Sequence, residues 1–507
     1  MDKKKLVINI VANFISFAVS FAVSLFLTPY IVENIGKEAY GFFSLGNNFT
    51  TYASLATSAL NSMASRFLAI SIHNGDNENA NKYFSSVFYA NIIISFILAI
   101  PLAVCIVFMS SFIKIQPNIV FDVQILWGFV FLSFLIGICF NIFSMGFFVK
   151  NNLYLSSLRN VESQVIRCVI LFSAYFFFKP YIWYLGFSVF MTTLYVAAYN
   201  MNYTRKNLPE LKVNKKYFDI KKIKELITSG MWNTFNQLSA LLSDGLDLII
   251  CNIWLGDTLM GTLAITKTVP SYLGTIIGMV TVAFEPQLVK TYTKGSLTDV
   301  VRQVKFCNKV AGIIASIPVA GFAVLGDSFF GLWLPGENTI LLHTLSITAI
   351  SSMFFSCSIK ILFYIPVLVN KLKATTVVIF ASGVINLITV FLLLKFSGFG
   401  VYAVAGVSCA LNLIRNFTFT PIYAAYCLNV KWRTFYPDVL KGGVCSGIII
   451  LIGYLLKSFF VINSWIVLIM VASLIAAIGL AVNFYIILSK EDRNRILAVI
   501  KQRFARA

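Results

Sequence analysis

Apolar runs almost free of charge recur from one end of the chain to the other, and this most constrains its fold. Each run is long enough to cross a bilayer as a helix, for which roughly 20 predominantly apolar residues suffice. Composition agrees. Only 12% of the 507 residues are charged, 58% are hydrophobic and mean hydropathy is +0.83. A soluble domain is about a quarter charged. These values exclude a disordered chain, a nucleic-acid-binding domain and a secreted disulfide scaffold. The formal net charge of +20 would suggest nucleic acid in a soluble protein. Here it reports membrane orientation, because Lys and Arg concentrate in cytoplasmic connections.

Fourteen spans are expected, at 7–31, 40–64, 86–110, 123–147, 161–178, 182–203, 226–254, 261–284, 310–330, 343–368, 375–396, 401–425, 442–462 and 464–488. With the N-terminus placed in the cytoplasm, the inner connections hold 31 Lys and Arg, the outer ones hold 5, and 4 lie inside spans. That asymmetry predicts an even number of spans with both termini cytoplasmic. Met1-Asp2-Lys3-Lys4-Lys5 followed by an apolar run resembles a signal peptide. The run continues to Val32, which is long for such a segment, so the first helix is expected to be retained.

The fold class is therefore an all-α polytopic membrane protein. Its expected organisation is an N-terminal lobe at 1–203 with spans 1–6, a basic cytoplasmic linker at 204–225, and a C-terminal lobe at 226–425 with spans 7–12. A helix pair at 426–488 and a basic tail at 489–507 follow. The linker carries Lys212, Lys215, Lys216, Lys221, Lys222 and Lys224. It reads as a topology anchor at anionic lipid headgroups, or as a surface that recruits substrate. Outer connections are short, the longest lying near 111–122 and 331–342. They leave no room for an extracytoplasmic catalytic domain.

Little enzymatic chemistry is on offer. The nine cysteines form no C-x-x-C pair, and His73 and His343 are the only histidines. A His/Cys metal site has almost no ligands to draw on. There is no phosphate-binding G-x-x-x-x-G-K-[ST] loop, and no G-x-S-x-G or H-E-x-x-H motif. Any work must come from an ion gradient, the membrane potential or the substrate gradient.

An internal repeat appears at an offset of 220 residues. Asn13 falls on Asn233, Gly36 on Gly256 and Gly41 on Gly261. Spans 1 and 7 both run outward, so the repeat is parallel and implies two six-helix lobes related by a pseudo-two-fold along the membrane normal. Facing lobes of that kind leave a cleft in which transporters place substrate.

Polar stripes lie inside the spans. Span 1 carries Asn9, Asn13, Ser16, Ser20, Ser24 and Thr28 on one helical face. Span 2 carries Asn47, Thr51, Ser54, Ser58, Asn61 and Ser65; span 7 carries Asn233, Asn236, Gln237, Asp244 and Asp247. Lipid does not solvate such faces. Two readings stay open: helix–helix hydrogen bonding, or the wall of a hydrated cavity.

Charge inside a span costs at least ~2.5–3.5 kcal/mol on insertion scales, so each case needs a reason. The cations are Arg167, Lys267, Lys360 and Arg415, the last within the polar patch Asn412-Leu413-Ile414-Arg415-Asn416. Lys360 is expected to be deep, about 16 Å along a helix from Lys371. With Asn13, Asn233 and Asn412 these cations form the candidate site for an anionic, hydroxyl-rich substrate, since phosphate favours Arg and Lys. Asp244 and Asp247, three apart on one expected face, are the candidate coupling pair for H⁺ or Na⁺. Ion pairing with a nearby cation is the alternative. No other cofactor is expected.

Three stretches resemble the Wzx-type polysaccharide flippases of the multidrug/oligosaccharidyl-lipid/polysaccharide transporter superfamily. The first is Leu27-Thr28-Pro29-Tyr30-Ile31-Val32 running into Gly36-Lys37-Glu38-Ala39-Tyr40-Gly41. The second runs from Ser229-Gly230-Met231-Trp232-Asn233 to Asp247-Leu248-Ile249-Ile250. The third is Gly331-Leu332-Trp333-Leu334-Pro335-Gly336. The resemblance implies a two-lobed fold, alternating access and residence in a bacterial cytoplasmic membrane. It implies a substrate too: an oligosaccharide on undecaprenyl diphosphate, moved from inner to outer leaflet for capsule, O-antigen or exopolysaccharide assembly. Expected partners are that lipid-linked oligosaccharide, membrane lipids, and a polysaccharide polymerase with its assembly proteins, with no nucleic acid.

Competing readings are a drug/cation antiporter of the same superfamily, a lipid II flippase, and a membrane-embedded polymerase or glycosyltransferase. Four in-span cations count against the antiporter. A span 1 polar face of Asn, Ser and Thr alone counts against the lipid II flippase, and short outer connections count against the enzymes.

Overall fold

The computed structural model describes residues 3–293, 295–356, 358–489 and 493. All regular structure among them is helical. The chain divides into two compact units, 1–264 and 265–507.

In the first unit, α1 (Lys3–His73) covers two expected spans and bends at Gly36, whose φ of 83° and ψ of 161° suit glycine alone. The Asp76 carboxylate caps α2 (Asn77–Val107), accepting from the Asn79 backbone N–H at 3.0 Å. That bond and a second from the Asn79 amide hold the carboxyl below its ordinary pKa. Then come α3 (Val120–Val149), α4 (Leu153–Phe177), α5 (Tyr184–Asn207) and α6 (Ile220–Ala240). A π-helical turn at Leu241–Gly245 leads into α7 (Asp247–Leu255) and α8 (Asp257–Thr266).

The second unit contains α9 (Thr268–Thr293), α10 (Leu297–Trp333) and α11 (Thr339–Ser351). Short turns at Met353–Ser356, Lys360–Tyr364 and Ile365–Leu368 follow. The unit ends with α12 (Leu372–Phe396), α13 (Val401–Phe417), α14 (Phe419–Cys427), α15 (Tyr436–Ser458) and α16 (Trp465–Ile486).

Ten helical stretches among the described residues are long and apolar enough to cross a membrane, and the first holds both arms of α1. Expected spans 5, 6 and 12 are helical as α4, α5 and the α13–α14 pair but fall outside those ten. Arg159, Glu162 and Arg167 dilute α4, and a break at Thr418 divides the last pair. Span 10 is not the continuous helix expected at 343–368, because the three short turns replace its second half. The basic tail lies outside the described residues apart from Ser489 and Arg493.

Each unit packs around its own core. In the first, Leu60, Leu68, Phe84, Val87, Phe143 and Leu226 cluster where α1, α2, α3 and α6 meet. Trp127 of α3 is fully buried and donates to the Phe42 carbonyl at 3.0 Å. In the second, Ala320 and Val324 of α10 pack against α15 and α16 through Ile449, Val471 and Ile475, and Val319 packs with Leu273 and Ile277 of α9 and Ile350 of α11. Large apolar side chains also cover the outside. Phe96, Ile100, Phe176, Phe396 and Ile466 are each at least 70% exposed. Exposed apolar surface on that scale fits a protein solvated by lipid.

The basic linker is bound to the first unit. Asn81 of α2 donates to the Glu210 carbonyl at 2.9 Å and accepts from the Lys212 N–H at 2.6 Å. Ser86 exchanges two bonds with the Asp219 backbone, at 3.2 and 2.8 Å. These bonds satisfy the irregular backbone and leave Lys212, Lys215, Lys216, Lys221 and Lys224 exposed.

Candidate functional site

The polar stripe of span 1 meets α4. Asn13 accepts from the Ser157 hydroxyl at 2.5 Å, Asn160 donates to Ser16 at 2.8 Å, and Gln164 donates to Ser20 at 3.5 Å. Every pair is separated by 144 residues. A constant offset means that the two helices run in the same direction, as two odd-numbered spans must. Here the stripe forms a hydrogen-bonded seam. Asn13 and Ser16 also border a cavity within the unit.

The span 2 stripe meets α6 in the opposite sense. Ser58 shares a 2.6 Å hydrogen bond with Thr234, and Gln237 donates to Ser54 at 3.2 Å. As one number rises the other falls, so these helices are antiparallel. Asn233 lies beside this seam and is exposed.

Asp247 stands at a helix restart. The π-turn ends at Gly245, whose carbonyl accepts from the Tyr52 hydroxyl at 2.5 Å and from the Asn48 amide at 3.4 Å. Asp247 then opens α7 and is 3% exposed. The regular i,i+3 face expected for Asp244 and Asp247 is therefore absent, because the π-turn changes the residue-to-angle relation between them. The Asp244 side chain lies outside the described residues.

The second-unit cations also sit at discontinuities. Lys267 occupies the step between α8 and α9. Lys360 opens the Lys360–Tyr364 turn, is exposed, and lies 5.4 Å from the centre of the Phe363 ring. The helical distance expected between Lys360 and Lys371 does not apply, since no continuous helix joins them. Arg415 is in the last turn of α13, three residues before the Thr418 break, and donates to Asn412 at 2.7 Å. Asn412 and Arg415 are thus brought together. Arg167 belongs to the first unit, where its guanidinium lies 5.0 Å from the centre of the Phe43 ring.

One polar cluster was not anticipated. Arg159 of α4 bonds Glu162 at 2.5 Å and Tyr195 of α5 at 3.1 Å, and Tyr195 also donates to Glu162. The guanidinium lies 4.0 Å from the centre of the Tyr199 ring. The available signal was Arg159 and Glu162 three apart on one helix, with Tyr195 and Tyr199 four apart on the next.

The family model for polysaccharide biosynthesis proteins matches residues 4–291, more than half of the chain. The chain belongs to the polysaccharide biosynthesis protein family. A relative in that setting is the "Uncharacterized membrane protein EpsK" of Bacillus subtilis (strain 168), 27% identical over 508 residues and covering 97% of both chains. Among solved structures, the lipid II flippase MurJ in an inward closed conformation matches with TM-score 0.68 at 13% identity. It covers 94% of this chain and 99% of its own. An inward-facing multidrug resistance MATE family transporter of the MOP superfamily matches with TM-score 0.67 at 12% identity, covering 83% and 98%. At those identities the likeness is one of fold. This member of the family is a multi-pass membrane protein, and its fold is like those of the MurJ and MATE structures, as the resemblance read from its sequence implies.

Proposed function

We propose that the chain flips an oligosaccharide carried on undecaprenyl diphosphate from the inner to the outer leaflet of a bacterial cytoplasmic membrane, by alternating access. The observation that carries the reading is where the charges lie. Asp247, Lys267, Lys360 and Arg415 all stand at or within one turn of a helix break. In a bilayer, broken backbone persists only where protein or a water-filled cavity satisfies it, and transporters bind substrate at such breaks. Three of the four charges are cations, which suits a diphosphate. Membership in a polysaccharide biosynthesis family supports the glycan. Asp247, buried at its break, is the group on which coupling to H⁺ or Na⁺ would act.

A buried acid with a MATE-like fold also favours a second reading, an organic-cation antiporter. Depleting the protein from the cells that make it separates the two. Under the flippase reading, lipid-linked oligosaccharide accumulates in the inner leaflet, where inverted vesicles expose it to a glycan-modifying enzyme. An unchanged leaflet distribution, together with loss of organic-cation export, would favour the antiporter.

A further inference from the structure

Two adjoining cavities of about 340 and 280 Å³ lie among α1, α3, α4 and α5 of the first unit and share Ser163, Val196 and Asn200 as walls. The larger also meets Asn13, Ser16, Arg159 and Asn160. The smaller also meets Phe140, Asn141, Ser144, Thr192 and Thr193.

Their walls offer both kinds of hydrogen-bonding group: the side-chain amides of Asn13, Asn141, Asn160 and Asn200 carry donors and acceptors. Ser144 donates to the Asn141 carbonyl at 2.7 Å, and Thr192 and Thr193 each donate to the Val189 carbonyl at 2.9 Å. A hydroxyl has one hydrogen, so these three offer only lone pairs to the space. Asn200 is 8% exposed, and its Oδ1 is buried with no hydrogen-bond partner. That oxygen is sealed from the space, so Asn200 would meet an occupant through the rest of its side chain.

Charge narrows the class. Glu162 neutralises Arg159 at 2.5 Å, so the cavity does not favour a diphosphate. An occupant must donate several hydrogen bonds, accept at least one, and lay an apolar face against Phe140, Val196 and Ala197. A pyranose ring with its hydroxyls does all three. The combined space is of the size that small-molecule sites use, roughly 300 Å³ and upward, and far exceeds the ~30 Å³ share of a single water.

We propose that this cavity is a glycan subsite, holding one neutral sugar residue of the transported oligosaccharide within the first unit. The proposal rests on the flippase reading. Asn200 is its specificity-determining residue, and Thr193 supports it.

The test uses the full chain in lipid nanodiscs with two probes: lipid-linked oligosaccharide extracted from the producing cells, and undecaprenyl diphosphate without sugar. Asn200→Leu should weaken binding of the first about tenfold and leave the second unchanged. Thr193→Val, close to isosteric, should weaken the first about threefold and serves if Asn200→Leu fails to fold. Equal binding of the sugar-bearing probe by wild type and both variants would mean that the cavity holds water only, overturning the subsite while leaving the flippase reading intact. Equal weakening of both probes would also overturn it. Failure of the wild type itself to prefer the sugar-bearing probe would sink the parent reading and this inference with it.

Discussion

Gly41 and Gly261, equivalent residues of the 220-residue repeat, are in contact: a Cβ on Gly41 would lie 2.8 Å from the Cα of Gly261. The glycines five residues earlier agree as well. Gly36 has φ 83° and ψ 161°, and Gly256 has φ 101° and ψ 175°. Both halves of the repeat therefore turn with the same backbone conformation, and at 41 and 261 they touch. Gly41→Val should overpack this contact and destabilise the protein by about 1–3 kcal/mol. Thermal unfolding of the detergent-solubilised protein checks it. Gly261→Val should cost a similar amount, and the double variant should fall short of the sum, because the two sites are neighbours.

Arg415 and Lys360 should matter to transport more than to stability. Neither sits in a core cluster, and Lys360 is exposed. Removing a charged hydrogen-bonding partner of a phosphate costs about 1.5–3 kcal/mol, which corresponds to roughly a tenfold to hundredfold loss. Arg415→Ala and Lys360→Ala should each lower glycan export in that range while membrane insertion stays normal. Export by a well-folded double variant at the wild-type rate would remove both from the site.

Asp247→Asn should uncouple rather than abolish transport. The substitution keeps the side chain's size at the start of α7 and removes its ability to hold a proton or Na⁺ by charge. Flipping down the substrate gradient should persist, and acceleration by an imposed H⁺ or Na⁺ gradient should vanish. Reconstituted vesicles with and without each gradient provide the comparison. Acceleration equal to that of wild type would exclude Asp247 from coupling.

The α1–α4 seam should be worth little per bond. Interhelical hydrogen bonds in membranes average about 0.6 kcal/mol in double-mutant cycles. Ser16→Ala and Asn160→Ala, separately and together, should show a coupling energy near ~0.6 kcal/mol by equilibrium unfolding in mixed micelles. A coupling near zero would mean that their 2.8 Å contact contributes nothing beyond packing.

Helix positions were legible because a bilayer demands long apolar runs, and the turn glycines were legible because few residues tolerate their backbone. The breaks were not. Apolar residues resume on both sides of Leu241–Gly245 and of Lys360–Tyr364, so hydropathy averaged over a span passes over both the π-turn before Asp247 and the short turn carrying Lys360. Their charges were still found, because an ionised group within an apolar run is conspicuous whatever the backbone does. Arg159 was hidden differently. It lies near the turn that precedes α4 and reads as one more cytoplasmic cation until α5 supplies Tyr195 and Tyr199. Asn200 was hidden among aromatic and aliphatic neighbours of α5, and its unfilled Oδ1 is a property of the packed unit alone.

The most direct measurement is leaflet access in proteoliposomes. Purified protein is reconstituted with undecaprenyl-diphosphate oligosaccharide, and modification of the glycan by an enzyme confined to the outside is followed in time. The account predicts that the half of the lipid initially protected becomes modified at a rate proportional to the protein incorporated. Protection that persists at every protein density, in vesicles whose protein is shown to be folded, would contradict it.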